Sequence, residues 1–362
     1  LKDASNLWGK GNYEVEALLQ KIHGEKVRYV TTGVAGEKKV RTAVVIGSHE
    51  SAATGGYGAV MGSKNLKAIA VIGSGKTKVA DPARLKELNR HTAHIAKRKH
   101  LICPMVLGTG HGGDLEVIGK AKCTQCGMEC MRTKFRYSNG KEVFRKCQSQ
   151  EYYLPWRYDR EDEPVDTFCD APTLANDYAL CTLELATIID WLHRCHLSAV
   201  LTEQETGLPL SRIGTREFLE KLIRSIAHRK GFGDVLAEGL YRAREHLSSE
   251  ARALLPAALV PIGLGDFSAR TEVAQALILS MEPREHRPPL HHLTIVKVLN
   301  MINSRDPKES PVTNEVFRAV AKAFWGSEEA ADISSFEGKA LASKKTQDRM
   351  CILDSLGFCD FT

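Results

Sequence analysis

The sequence predicts an α+β fold in which a mixed N-terminal part is followed by two mostly α-helical domains. Three β-branched segments bounded by glycine lie within residues 1–80, which is the usual pattern of strands. From Pro172 onward, apolar residues recur at spacings of three and four, which is the pattern of amphipathic helices. The motif Asp81-Pro82 marks a boundary, so we expect domains at residues 1–80, 81–230 and 231–362.

The N-terminal part is expected to contain one helix and three strands. The helix lies between Asp3 and Gly24, and its apolar face comprises Val15, Leu18, Leu19 and Ile22. The strands are predicted at Val27–Thr31, Val40–Ile46 and Ala68–Ile72.

A glycine-dense loop, Ala53-Thr-Gly-Gly-Tyr-Gly58, separates the last two predicted strands. Glycine at such positions either supplies the positive φ of a turn or lets the backbone approach a ligand closely. The residues of the loop alone are compatible with both interpretations.

The rest of the chain is predicted to be mainly helical. A basic helix is expected from Arg84 to Lys99, whereas residues 131–170 are polar and aromatic without a clear period. Further helices are predicted at Leu174–Leu192, Thr215–His228, Phe232–Leu247, Arg270–Leu279 and Asn314–Trp325.

The composition is that of an ordinary globular protein, with 43% hydrophobic and 26% charged residues. The 50 basic and 44 acidic residues give a net charge of +6, which permits a basic docking face for an acidic electron carrier but does not indicate nucleic-acid binding. No apolar run approaches the roughly 18 residues of a membrane-spanning helix. We expect a cytoplasmic protein. Because the chain begins at Leu1 and stops at Thr362, just past an apparent motif, we expect an internal piece of a longer protein.

Three of the ten cysteines form a cluster, Cys123-Thr-Gln-Cys126-Gly-Met-Glu-Cys130. The C-x2-C-x3-C spacing favours an iron–sulfur cluster, whose fourth ligand usually comes from elsewhere in the fold. A structural zinc site would need a second close pair, which His111 and Cys147 do not supply, and an unligated or reducible cluster is a third interpretation. The C-terminal string Asp354-Ser-Leu-Gly-Phe-Cys359 offers a fourth cysteine, although by itself it reads as a helix ending at glycine.

Five motifs together resemble the tungsten-containing aldehyde:ferredoxin oxidoreductases, in which they occur in the same order. They are Gly33-Val-Ala-Gly-Glu37, the loop from Gly55 to Ala68, the C-x2-C-x3-C cluster, the segment Gly231–Gly239 and the D-x-x-G-[LF]-C end. The resemblance implies the tail of a β-rich, pterin-cradling domain at 1–80, one 4Fe–4S cluster and one tungsten or molybdenum atom held by two pterins.

The resemblance also implies roles for individual residues. Cys123, Cys126, Cys130 and Cys359 match the ligands of the 4Fe–4S cluster. Asp354 matches a pterin-binding aspartate, and its carboxylate is a suitable acceptor for the amino edge of a pterin. Gly357 and Phe358 supply the turn beside it, and Gly55 and Gly56 match a loop that passes close to a pterin.

The sequence departs from the family pattern at three places. Thr54 stands where the family has an arginine before the paired glycines. The segment Cys181-Thr-Leu-Glu-Leu-Ala186 is the nearest match to a D-x-x-G-L-D motif and lacks both aspartates and the glycine. The family has a glutamate near the metal shortly after the cysteine cluster; Glu151 is the nearest carboxylate here, but the register of this region leaves Tyr153 in the expected place of that glutamate.

The implied activity is oxidation of an aldehyde to a carboxylic acid, with electrons leaving through the cluster to ferredoxin or a ferredoxin-like subunit. Glu151 and His286 are the candidates for moving the proton, with His291 and His292 as rivals to His286, although each could be a solvated loop residue.

Two alternative functions stay open. If Cys147 is a metal ligand rather than an inert buried thiol, the sequence favours another low-potential reaction, such as reduction of a thioester-activated aromatic ring. The departures at Thr54 and at Cys181–Ala186 would also suit a non-catalytic electron-transfer subunit.

Overall fold

The computed structural model describes residues 1–48, 51–75, 78–96, 115–120, 132–137, 140–146, 152–256, 313–332 and 335–356. The chain divides into two compact units. The described residues of the first unit run from 1 to 85 and, with gaps, from 115 to 256, and those of the second are 86–96 and 313–356 without 333 and 334. The fold is α+β, as predicted, whereas the domain boundaries at residues 80 and 230 stay a prediction.

A four-stranded antiparallel sheet organises the N-terminal part of the first unit. Its order is β3–β2–β1–β4, and its strands are β1 Arg28–Thr31, β2 Val45–Gly47, β3 Ser51–Ala53 and β4 Ala68–Val71. In this register Val30 of β1 lies opposite both Gly47 of β2 and Ile69 of β4. The predicted strand at Val40–Ile46 begins only at Val45, because the backbone turns where the N–H of Ala43 donates to the carbonyl of Val40.

Four helices accompany this part of the chain: α1 Asn12–His23, α2 Val34–Glu37, α3 Tyr57–Ser63 and α4 Pro82–Ala96. Val15 and Leu19 of α1 pack against Val27 and Tyr29, which buries the predicted apolar face. Ile22 does not share that face, since 57% of it is exposed near the end of the helix.

A second antiparallel sheet, which the sequence analysis did not predict, lies within residues 115–146. Its strands pair in the order β5–β6–β7, with bounds β5 Leu115–Lys120, β6 Arg132–Tyr137 and β7 Glu142–Lys146. In β6, Phe135 and Tyr137 are buried, while Arg136 pairs with Glu142 and Glu116. A strand with only two apolar residues on its inner face is too short for its period to be recognised.

The large core of the first unit is helical. Its helices are α5 Val165–Tyr178, α6 Thr182–Leu197, α7 Glu203–Thr206, α8 Arg216–His228, α9 Phe232–Ala237, α10 Gly239–Ala243 and α11 Ser249–Ala253. Trp191 and Phe218 are fully buried in this core, and the indole N–H of Trp191 donates to the carbonyl of Ala251 at 3.0 Å.

Two predicted helices of this region are interrupted. The predicted helix at Leu174–Leu192 breaks at Ala179, whose φ is +60°. Ala179–Cys181 pairs instead with the backbone of Thr42–Val44, which removes these residues from helical bonding. The predicted helix at Phe232–Leu247 is divided at Gly239, whose φ is +71°.

The second unit contains α12 Asn314–Trp325 and α13 Lys339–Leu356. The bounds of α12 agree with the prediction, and the hydroxyl of Thr313 caps it by accepting from the N–H of Val316. The predicted helix at Arg270–Leu279 lies outside the described residues. Within the described part of the chain, no helix combines the length and the apolar character that crossing a membrane requires.

Candidate cofactor site

The glycine-dense loop joins β3 to α3 and exposes its backbone. Gly55 and Gly56 have φ angles of +88° and +77°, a left-handed conformation that a residue with a side chain rarely adopts. Gly55 is exposed, and a Cβ added there would meet nothing nearer than the ring of Tyr57, at 3.6 Å. The backbone of Gly55 is therefore accessible, whereas Gly56 is buried and its carbonyl accepts from the N–H of Val60 at 3.2 Å.

Close backbone contacts fix the helix that follows this loop. A Cβ at Gly62 would lie 1.8 Å from the carbonyl oxygen of Gly36, so α3 crosses α2 where both helices lack a side chain. A Cβ at Gly58 would lie 2.5 Å from the carbonyl oxygen of Val44, and the N–H of Gly58 donates to the carbonyl of Ala43 at 3.1 Å. The start of α3 is thus held between α2 and the segment that leads into β2.

A buried ion pair joins α2 to the end of the same loop region. The ammonium of Lys67 and the carboxylate of Glu37 form a salt bridge, and their side chains are 0% and 3% exposed. The Lys67 ammonium also donates to the carbonyl of Lys10 at 2.9 Å, while the two Glu37 oxygens accept from the N–H of Gly9 at 3.0 and 2.9 Å. Burial lowers the pKa of Lys67, and the bond and charge of Glu37 oppose this shift.

A half-buried carboxylate lies near this pair. Asp177, at the end of α5, accepts from the N–H of Tyr13 at 3.2 Å and thereby caps the start of α1. Burial raises the pKa of the Asp177 carboxyl, and its hydrogen bonds from backbone N–H groups and the charge of Lys67 act in the opposite direction. Glu37, Lys67 and Asp177 together connect the N-terminal sheet region to the helical core.

The structure brings the glycine loop and the Cys181–Ala186 segment to the same piece of chain. Cys181 is the N-cap of α6, and its N–H donates to the carbonyl of Thr42 at 3.2 Å. Ala43, which follows Thr42, accepts at its carbonyl from the N–H of Gly58 in the glycine-dense loop. Cys181 and Glu184 are both buried, so the segment that replaces the acidic motif packs against Val44 and Ile46 rather than facing solvent.

Tyr153, which the sequence resemblance placed where the family has a glutamate near the metal, is a core residue. Its side chain is fully buried, its hydroxyl donates to the carbonyl of Thr215 at 2.6 Å, and its ring packs beside Phe168. Burial raises the pKa of the Tyr153 hydroxyl, so it stays protonated at neutral pH. Thr54, the residue in place of the family arginine, is half-buried directly before the paired glycines.

Most of the other predicted site residues lie outside the described residues: Cys123, Cys126, Cys130, Cys147, Cys359, Glu151, His286, Gly357 and Phe358. Asp354 lies in the last turn of α13, which ends at Leu356, directly before Gly357. Among the described residues, no group of three or more His, Cys, Asp and Glu side chains could hold a metal ion.

The sequence analysis missed two parts of this region. Glu37 and Lys67 both stand in motifs that it quoted, but nothing in the sequence signals that two residues 30 positions apart form a buried pair. Arg229, which donates to the carbonyls of Lys38 and Lys39, was not singled out because it precedes its motif by two residues.

Comparison with known protein families shows two matches that together cover most of the chain. Residues 1–73 match the N-terminal domain of aldehyde ferredoxin oxidoreductase, and residues 113–362 match its domains 2 and 3. The chain belongs to the aldehyde ferredoxin oxidoreductase family.

The aldehyde ferredoxin oxidoreductase relatives include tungsten-containing enzymes from Pyrococcus. Those from Pyrococcus abyssi and Pyrococcus horikoshii are each 30% identical over 68% of this chain, which corresponds to 47% and 46% of their own lengths. A WOR-like subunit of an aliphatic sulfonate oxidoreductase from Pyrococcus furiosus is 26% identical over 68% of the chain and 47% of its own length. The chain therefore spans about half the length of the curated relatives that it matches.

A similar fold occurs in a solved structure, the BamBC active-site complex of benzoyl coenzyme A reductase with 1,5-dienoyl-CoA. The TM-score is 0.60 at 20% sequence identity, and the match covers 75% of this chain and 48% of the other. At this identity the likeness describes the fold alone.

Proposed function

We propose that this chain is part of an oxidoreductase that converts an aldehyde to a carboxylic acid at a tungsten or molybdenum bis-pterin site. In the proposed reaction the aldehyde and one water yield the acid, two protons and two electrons, and the electrons pass through a 4Fe–4S cluster to ferredoxin or a ferredoxin-like subunit. Membership of the family supports the class of reaction, and the paired left-handed glycines are the observation in this chain that supports the cofactor.

The residues present are compatible with a pterin. The exposed backbone at Gly55 offers its peptide group to a flat, polar heterocycle, and no side chain obstructs the approach to this residue. Asp354, in the last turn of α13, would accept hydrogen bonds from the amino edge of a pterin. When bound, the metal–pterin group supplies the two-electron chemistry, while the protein orients the substrate and excludes water.

The remaining roles rest on the resemblance. Cys123, Cys126, Cys130 and Cys359 would ligate the cluster, and Glu151 or His286 would move the proton that leaves the substrate. We also propose a cytoplasmic location, because a C-x2-C-x3-C cluster is more typical of metal binding in a reducing compartment than of a disulfide framework.

Replacing Asp354 with alanine tests the cofactor part of this proposal. A pterin edge left without its acceptor costs about 1–3 kcal/mol per buried group, so the variant is expected to lose tungsten or molybdenum before it loses iron. Metal analysis of the purified protein measures both. Asp348→Ala is the matched control, since Asp348 lies on the same helix with its side chain 60% exposed and paired with Lys344. Equal retention of tungsten or molybdenum in the two variants would show that Asp354 does not hold the cofactor.

A second candidate function is reduction of a thioester-activated aromatic ring. The feature that favours it is the tyrosine at position 153, which stands in the expected place of the family glutamate and supplies no carboxylate there. Cys147 lies six residues earlier, and a thiolate is a soft ligand suited to tungsten or molybdenum.

The two candidates differ in what they expect of Cys147→Ser. Aldehyde oxidation without a thiolate ligand predicts an unchanged metal spectrum and normal activity. Electron paramagnetic resonance of the tungsten or molybdenum, together with iron analysis, shows whether Cys147 is a ligand of that metal. An altered metal signal with full iron content would reject the first candidate in favour of the second.

A further inference from the structure

Arg229 stands two residues before the Gly231–Gly239 motif and uses all three guanidinium nitrogens. It terminates α8 with a φ of +53°, and its side chain is only 23% exposed. Nη1 donates to Asp234 at 2.8 Å, and Nη2 lies 2.7 Å from Glu238. Arg229, Asp234 and Glu238 form what we call the Arg229 clamp.

The clamp holds the chain directly after α2. Nε of Arg229 donates to the carbonyl of Lys38, and Nη2 donates to the carbonyl of Lys39, both at 2.8 Å. Lys39 itself has a φ of +57°, so these two bonds fix a point where the chain reverses. A planar guanidinium can reach two adjacent carbonyls while pairing with two carboxylates, whereas a single ammonium cannot reproduce this geometry.

The Gly231–Gly239 motif extends the same contact to residues 41 and 42. The N–H of Arg41 donates to the carbonyl of Ala237 at 2.9 Å. A Cβ at Gly239, whose φ is +71°, would lie 3.4 Å from the methyl group of Thr42. The backbone from Lys38 to Thr42 is therefore held along its length by residues 229–239.

The residues on both sides of this held segment contact α3. Before it, the carbonyl of Gly36 in α2 lies against Gly62. After it, Ala43 and Val44 lie against Gly58, and the carbonyl of Ala43 accepts from the Gly58 N–H. These are backbone contacts without intervening side chains, so a shift of Lys38–Val44 must displace α3 and the Gly55–Gly56 loop at its start.

We propose that Arg229 is a positioning residue for the Gly55–Gly56 loop and, through that loop, for the pterin. The second half of this inference rests on the proposed function, in which the loop contacts the cofactor. In this inference the Gly231–Gly239 motif has a structural role: with Arg229 it holds the Gly55–Gly56 loop in position and does not contact the cofactor itself.

Amide hydrogen exchange of Arg229→Gln tests the positioning role. Loss of a charge-assisted hydrogen bond is expected to speed exchange across residues 54–66 by at least about tenfold, because local opening of that segment becomes easier. Exchange across α12 is expected to stay at the wild-type rate, because α12 belongs to the second compact unit and residues 38–44 to the first. Arg224→Gln is the matched control, since Arg224 lies on α8, is 62% exposed and pairs only loosely with Glu220 at 3.8 Å.

Tungsten or molybdenum content, measured after dialysis against a chelator, is the second readout. Arg229→Gln is expected to retain less metal than Arg224→Gln. Arg229→Lys keeps the positive charge but not the planar guanidinium, so amide exchange across residues 54–66 is expected to speed up less than in Arg229→Gln. This variant replaces Arg229→Gln in the experiment if the glutamine variant does not fold. Wild-type exchange across residues 54–66 in both Arg229 variants, or an equal rise in every part of the chain, would overturn the inference. Faster exchange confined to residues 54–66, with no tungsten or molybdenum in the wild-type protein, would contradict the proposed function while supporting the clamp.

Discussion

Replacing Cys126 with alanine is expected to remove most of the iron and the brown absorbance from the purified protein. A cuboidal cluster needs thiolates that converge from several directions, and the loss of one ligand from a C-x2-C-x3-C loop exposes an iron that the remaining cysteines cannot satisfy. Iron analysis and the visible spectrum measure the effect.

Cys195→Ala is the matched control for this prediction. Cys195 is fully buried in the helical core, and burial raises the pKa of its thiol to about 11, so it is protonated and inert at neutral pH. Iron content should stay at the wild-type value in this variant. Equal iron loss in the two variants would refute the assignment of Cys126 as a ligand.

Lys67→Met is expected to destabilise the protein by about 3–5 kcal/mol, because it leaves the Glu37 carboxylate buried without its cation. Chemical denaturation, followed by far-UV circular dichroism, measures the free energy of unfolding. Combining it with Glu37→Gln removes the uncompensated charge, so the double variant should be more stable than Lys67→Met alone.

Lys10→Met provides the comparison on the surface. Lys10 pairs with Glu14 one turn further on, and the two side chains are 33% and 56% exposed. An exposed pair of this kind contributes about 0–1 kcal/mol, so the free energy of unfolding of this variant should be close to that of the wild type. Similar stabilities for Lys67→Met and Lys10→Met would mean that the buried pair does not hold α2 to the loop region.

Local patterns predicted the regular helices of this chain well. For α8, apolar residues three and four apart define the buried face, and in both α8 and α12 a threonine at the N-cap accepts from the third N–H, so the bounds follow from neighbouring residues alone. In α12, Ala321 and Trp325 are buried, whereas Val316, Val320 and Phe324 are exposed. The break at Ala179 could not be predicted in this way, because it depends on pairing with Thr42–Val44, more than 130 positions away. The strand at Arg132–Tyr137 was missed because only Phe135 and Tyr137 mark its buried face, too few for an alternating period to be recognised.

The candidate site shows the same division. The paired glycines predicted either a turn with positive φ or a close approach to a ligand, and Gly55 and Gly56 do have positive φ angles. The contacts that hold the loop were not predictable, because the Glu37–Lys67 pair and the Arg229 clamp join residues that are distant in sequence. Spacing identifies candidate ligands, whereas burial and pairing become known only from the fold.

Metal analysis combined with an aldehyde-dependent viologen assay tests the central proposal most directly. The proposed function predicts that the purified protein contains stoichiometric tungsten or molybdenum as well as iron, and that adding an aldehyde reduces the viologen dye. A protein that retains its iron but contains neither tungsten nor molybdenum, and does not reduce the dye, would contradict it and indicate an electron-transfer subunit instead.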